Sequence, residues 1–290
     1  QFDAAGEFFQ AAVASRPERA AELLIQWGMG FMLSNEPGRA VEVFRQAIER
    51  NEHPRINPLF HFYLAGALEL NGQTEEALEA ARRAAELEPE SPRFHGRLGW
   101  VLHHARRHEE AIDAYRSTLE RFDAEHGSAD VRDALRQSRL VLSSLYVVQG
   151  DLAQAESWLE EVLDEFPDDA GALNDLGYLW ADQGKNLDLA LEMVERAVAA
   201  QPENAAFRDS LGWVYYRLGR HAEAVVELEK AAGLGETPDP TILDHLGDAY
   251  LKTNRTEDAR QTWRRAVEAF READETDKAN AVENKLSPKK

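Results

Sequence analysis

Four histidines form the one grouping in this chain whose residue types suggest metal chemistry: His95, His103, His104 and His108 fall within a single short stretch. His104 and His108 have the i, i+4 spacing that brings two imidazoles onto one helix face, as a zinc site requires. Between them stand Ala105, Arg106 and Arg107, so no glutamate follows the first histidine as in an HExxH site, and His108 falls at a turn. The cluster therefore reads as surface histidines. The 290 residues include no cysteine, which excludes disulfides and thiolate zinc sites and leaves both reducing and oxidising compartments open. No glycine-rich phosphate loop is present, and Asn71-Gly72 and Gln149-Gly150 read as turns. No catalytic residue, metal or cofactor is assigned, so the chemistry to look for is that of binding.

The elements that would position binding residues repeat along the chain. The stretch Ala205 to Glu236 reads AAFRDSLGWVYYRLGRHAEAVVELEKAAGLGE, with Leu211, Gly212, Tyr215, Ala224, Leu228 and Ala231 at positions 7, 8, 11, 20, 24 and 27. Aligned on Gly212 as position 8, repeats begin at Ala21, Pro58, Pro92, Arg136, Ala170, Ala205 and Pro240, with offsets of 37, 34, 44, 34, 35 and 35 residues. Position 8 is always small (Gly28, Ala65, Gly99, Ser143, Gly177, Gly212, Gly247), which predicts a close helix crossing there. Position 20 is alanine for the same reason, except that the fifth repeat reaches it one residue late, at Ala190. Pro89, Pro167 and Pro202 stand near position 32, where they stop the second helix of each pair.

This pattern resembles the tetratricopeptide repeat (TPR), a helical hairpin of about 34 residues. The resemblance implies an all-α fold, a TPR solenoid in which antiparallel hairpins stack into a right-handed superhelix, because one hairpin cannot bury its apolar face alone. It also implies a concave groove lined by the first helices, through positions near 2, 5, 9 and 12. In the last three repeats these positions include Asn174, Tyr178, Asp209, Trp213, Tyr216, Asp244 and Asp248. That end of the groove is acidic and aromatic. In the first repeats they include Ile25, Met29, Met32, Leu59 and Phe62, followed by Trp100 and His103.

Trp27, Trp158, Trp180 and Trp263 fall at hairpin-packing positions, whereas Trp100 and Trp213 both occupy position 9, where an indole either anchors a ligand or packs on the neighbouring helix. Asp209 and Asp244 also suit an ordinary helix N-terminus; Asp248 lies deeper. The peptide-carboxylate clamp of chaperone-binding members, with Lys at position 5 and Asn at position 9, is absent: position 5 runs Ile25, Phe62, Gly96, Leu140, Asn174, Asp209, Asp244.

The run NDLGYLWADQGKNLDLALEMVERAVAAQPENAAFRDSLGWVYYRLGR, Asn174 to Arg220, followed by DPTILDHLGDAYLKTNRTEDA, is similar to the final repeats of bacterial TPR scaffold proteins, among them outer-membrane lipoproteins that tether proteases. A bacterial source and, less directly, an envelope location are what that similarity implies. The alternative readings are a periplasmic lipoprotein tether for a protease or cell-wall enzyme, and a regulatory domain of a larger enzyme. Localisation stays open between cytoplasm and periplasm.

Composition fits a helical array. The formal net charge is −20, from 33 basic and 53 acidic residues, which argues against nucleic acid or an anionic membrane as partner. Part of the acidity sits in first turns of second helices, at Glu75, Glu76, Glu109, Glu110, Glu223, Glu257 and Asp258, where it complements the helix dipole. No apolar run approaches the length of a membrane span.

Outside the seven repeats, residues 1–20 read as the second helix of a truncated repeat, from Ala5, Phe9, Ala12 and Pro17; a trimmed fragment is favoured over natural processing. The surplus in the long offset lies near residues 123–133, DAEHGSADVRD, as an insertion. Residues 274–286 read as a capping helix and 287–290 as a basic tail. The expected function is a non-catalytic scaffold that holds another protein or peptide, bearing basic residues, in its groove.

Overall fold

The computed structural model describes residues 19–50, 54–122, 128–235 and 239–286, together with Ala11, Ser15, Arg16 and Thr237. The reading of residues 1–20 and of 287–290 lies almost wholly outside the described residues, as does the 123–127 part of the insertion. Among the described residues there are helices and turns and no strand.

Two compact bodies divide the chain, Gln1–Gln149 and Gly150–Lys290. The first holds α1 (Ala20–Leu33), α2 (Pro37–Arg50), α3 (Asn57–Leu70), α4 (Thr74–Leu87), α5 (Pro92–His104), α6 (His108–Phe122) and α7 (Ala129–Gln149). The second holds α8 (Leu152–Glu165), α9 (Ala170–Gln183), α10 (Leu187–Ala200), α11 (Ala205–Arg217), α12 (His221–Ala232), α13 (Pro240–Lys252), α14 (Thr256–Glu272) and α15 (Thr276–Leu286). Within each body consecutive helices pack as hairpins, and α1 with α3, α3 with α5, α5 with α7, α9 with α11 and α11 with α13 also touch, so α3, α5 and α7 share one face, as do α9, α11 and α13.

Local chemistry starts and stops these helices. Asp169 accepts a hydrogen bond from the Ala172 amide at 2.8 Å, Asp151 from Gln154 at 3.1 Å and Asp239 from Thr241 at 2.7 Å, each satisfying a donor that a helix start leaves free. The turn inside every repeat places position 15 in the left-handed region: Asn35, Gly72, Arg106, Gly150, Gly184, Gly219 and Asn254 all have positive φ. Glycine and asparagine tolerate that conformation and fill six of the seven places; Arg106, at φ 58°, is the exception. The extra residue in GKN is absorbed by a second left-handed residue, Asn186 at φ 50°.

Small residues set how closely the helices of a pair approach. A Cβ at Gly212 would stand 2.5 Å from Leu228 Cγ and 3.3 Å from the Ala224 carbonyl oxygen; at Gly177 it would stand 2.6 Å from Val194 Cγ2. Position 8 thus receives the bulky residue near position 24 of the same hairpin. The alanines of position 20 (Ala40, Ala77, Ala111, Ala155, Ala224, Ala259), and Ala190 one residue late, are completely buried. Around them pack Phe44, Phe60, Phe122, Leu176, Leu228 and Trp263, so the apolar surface of each repeat is withdrawn from water by its neighbours.

Candidate functional site

In the C-terminal body the expected binding residues fall into two layers. Asn174 and Asp209 lie underneath, each only 7% exposed. Asn174 Nδ2 donates to Asp175 at 3.0 Å. Asp209 faces His245 of α13, also 7% exposed, with its carboxylate oxygens 2.9 and 3.1 Å from Nδ1. Burial pulls the imidazole pKa down, but Asp209, aided by Asp244 and Asp248, outweighs it, and the net shift is upward. Asp209 is therefore engaged by His245 beneath the groove and is not a free groove charge.

Above this pair runs an aromatic ladder. Trp213 stacks on His245 with ring centroids 4.3 Å apart and 19° between planes, and on Tyr216 at 4.9 Å and 6°. Tyr178 of α9 tilts toward His245 at 6.3 Å. Trp213, Tyr216 and Tyr178 remain half-buried, so each keeps ring surface available. The indole of Trp213 is held by position 9 of α11, and the stack on His245 spans two adjacent repeats.

Asp244 and Asp248, one turn apart on α13, present both carboxylates on one side. They are bridged by Lys285 of α15, whose Nζ donates to Asp244 at 2.7 Å and to both oxygens of Asp248 at 2.9 Å. Burial raises the Asp248 pKa, and Lys285 only partly restores it. Two carboxylates thus share one ammonium, and the site keeps a net negative charge.

His245 and Lys285 are the partners that sequence reasoning missed. His245 had a signal, since it lies at position 6 of the repeat following Asp209 at position 5. Lys285 lies outside the repeat frame and had none.

Trp100 belongs to the other body. Its ring contacts His104 at 3.8 Å, and His104 Nδ1 lies 3.0 Å from the Trp100 carbonyl oxygen. The guanidinium of Arg97 sits 3.5 Å above the Phe62 ring and 4.8 Å from the Trp100 ring. Of the four histidines only His95 stands apart, its Nε2 3.1 Å from the Pro89 carbonyl oxygen and its ring on Phe122, while His103 makes edge contacts with His104 at 5.7 Å and His108 at 6.0 Å between ring centroids. Among the described residues no group of three His, Cys, Asp or Glu side chains could hold a metal ion.

Farther along that groove, Met29 is 40% exposed and Leu33 87%, a short apolar edge on α1. No helix among the described residues is long and apolar enough to cross a membrane.

One family model described as tetratricopeptide repeat matches residues 25–87, 71–126, 140–190 and 185–238, and a second such model matches 242–273. A curated fungal protein, the small glutamine-rich tetratricopeptide repeat-containing protein 2 of Mycosarcoma maydis, is 31% identical over 100 residues, 34% of this chain. The matched stretch spans 28% of that relative's length. Among solved structures, a tetratricopeptide repeat protein from Parabacteroides merdae superposes with TM-score 0.63 at 17% identity, covering 90% of this chain and 98% of its own. Yeast Tom70 superposes with TM-score 0.61 at 19% identity, covering 98% of this chain and 59% of its own. The APC/C hetero-tetramer Cut9-Hcn1 gives TM-score 0.65 at 15% identity over 93% of this chain and 51% of its own. At these identities the structural likeness speaks for the fold.

Proposed function

This chain belongs to the tetratricopeptide repeat family, and from that premise we propose that it is a non-catalytic scaffold whose C-terminal body binds a basic segment of another protein. Members of the family generally mediate protein–protein interaction. The observation that carries the finer reading is the Asp244 and Asp248 pair, which already coordinates an ammonium beside half-buried rings of Trp213 and Tyr216. An incoming lysine or arginine would take the carboxylates, and the aliphatic or aromatic side chain next to it would lie on the Trp213 ladder. Tyr178 extends that surface onto α9. Asp209 and Asn174 act from beneath, Asp209 by fixing His245 against the indole. Trp100 is a second half-buried groove indole, on the N-terminal body. The net charge of −20 supports a basic partner over nucleic acid.

The test is an array of immobilised peptides scanned with the purified chain. Bound peptides are expected to carry Lys or Arg beside an apolar residue, and Trp213→Ala to weaken them by about 2 kcal/mol or more. Binding with no basic bias, unmoved by Trp213→Ala and by Asp244→Lys with Asp248→Lys, would move the site elsewhere.

A further inference from the structure

The largest offset between repeats coincides with the longest first helix, α7, which has 21 residues where α5 has 13. Between α5 and α7 lies a cavity of about 830 Å³, walled by Phe62, Phe94, Arg97, Trp100, Tyr115 and Gln137 among others. Its floor is open because position 5 of this repeat is glycine. A Cβ added at Gly96 would find only Ser138 Oγ within reach, at 3.9 Å. This differs from Gly212 and Gly177, whose missing side chains are replaced by a neighbouring helix.

The same wall carries a cation without a counter-ion. The Arg97 guanidinium lies over the Phe62 ring and near the Trp100 ring, and among the described residues no carboxylate pairs with it and its buried Nε has no hydrogen-bond partner. Burial, and then the neighbouring Arg93, pull its pKa down to about 10, the mark of a charge stripped of water and left uncompensated. The carboxylates at the cavity rim do not relieve it. Glu90 lies 3.8 Å from Arg121 and Asp133 lies 2.5 Å from Arg136, while Asp130 has no ion pair among the described residues. In a chain this acidic, a desolvated arginine kept free of its own carboxylates is unusual.

We propose that the α5–α7 cavity is a docking site for an acidic segment of another protein, whose Asp or Glu side chain pairs with Arg97 while an adjacent apolar side chain fills the space over Gly96. The guanidinium held over the Phe62 ring has N–H donors to offer a carboxylate, and Arg93, one turn earlier on α5, supplies a second positive charge at the mouth. Phe62, Phe94 and Trp100 supply the apolar surface. Charge complementarity selects an acidic occupant, and the absence of Lys at position 5 and Asn at position 9 selects a side-chain carboxylate over a chain terminus. This site is independent of the basic-segment site in the C-terminal body.

A phage-displayed random peptide library, with peptide C-termini fused to the coat protein so that only side-chain carboxylates are offered, tests it on the full chain. Selected peptides are expected to contain Asp or Glu beside an aromatic or aliphatic residue. Resynthesised, they should bind about tenfold or more weakly to Arg97→Gln and to Gly96→Leu, and equally well to Trp213→Ala. Gly96→Leu keeps the charge, adds helix propensity and fills the cavity, so it tests the site even if Arg97→Gln folds poorly. A library that yields no acidic motif, acidic peptides that bind both variants normally, or acidic peptides lost with Trp213→Ala would overturn the proposal.

Discussion

Two positions of the repeat carry residue-scale consequences that stability measurements can read. At Gly212 the space a methyl group would need is already held by Leu228, so Gly212→Ala should destabilise the chain by about 1–3 kcal/mol through overpacking, despite alanine's better helix propensity. A denaturant midpoint unchanged by that substitution would mean that the hairpin can open at no cost. Arg106 presents the opposite case. It is exposed, forms no ion pair among the described residues, and holds a left-handed φ that the other repeats assign to Gly or Asn. Arg106→Gly should therefore stabilise by about 1 kcal/mol, the αL cost of an L-residue less the entropy glycine adds to the unfolded chain. Position 8 was legible in the sequence because a steric demand recurs at a fixed spacing. The direction of Arg97 was not, since a guanidinium lying on Phe62 leaves no repeat signature.

At the scale of elements, contacts between adjacent first helices govern the candidate site. The Asp209 to His245 contact joins α11 to α13, and Asp244 and Asp248 also face the imidazole from its own helix, while the Trp213 and Tyr178 rings pack near it. A histidine whose folded pKa is raised contributes stability fully present below its unfolded value near 6.5, and that contribution is lost as pH rises through the folded value. Asp209→Asn should accordingly cost on the order of 3 kcal/mol in mildly acidic buffer, with the gap to the unmodified chain shrinking as pH rises. A pH-independent gap in paired melting curves would show that the imidazole does not titrate over that range. The second element-scale contact is α15, whose Lys285 occupies the carboxylates that a basic partner would need. Lys285→Ala should tighten binding of a basic peptide by removing this internal competitor, and calorimetry on the two chains checks the direction. Weaker binding would mean that α15 shapes the site instead of competing for it. The helical character of residues 274–286 could be read from Ala279, Val282 and Leu286 at helical spacing. The ammonium it delivers to α13 could not, because that contact joins residues 37 and 41 positions apart outside the repeat frame.

For the whole molecule, what the sequence revealed most fully was the architecture, because a solenoid is written one repeat at a time and each repeat need only fit its neighbour. Charge is the property that belongs to no single repeat. With a net charge of −20 spread over its surface, the chain attracts any basic segment before contact is made, and the Asp244 and Asp248 pair adds a local field at the candidate site. Steering of this kind acts on the encounter rate and is screened over about 8 Å at physiological ionic strength. The stacking of an apolar side chain on Trp213 is short-ranged and acts on the lifetime of the complex. Stopped-flow association of a basic peptide should therefore slow by an order of magnitude or more as salt is raised from low to near-molar levels, while the dissociation rate changes little. Trp213→Ala should reverse that division, speeding dissociation and leaving the salt dependence of association intact. Association insensitive to salt would mean that the acidic surface has no part in recognition, and that its charge serves only solubility and the helix dipoles from which much of it comes.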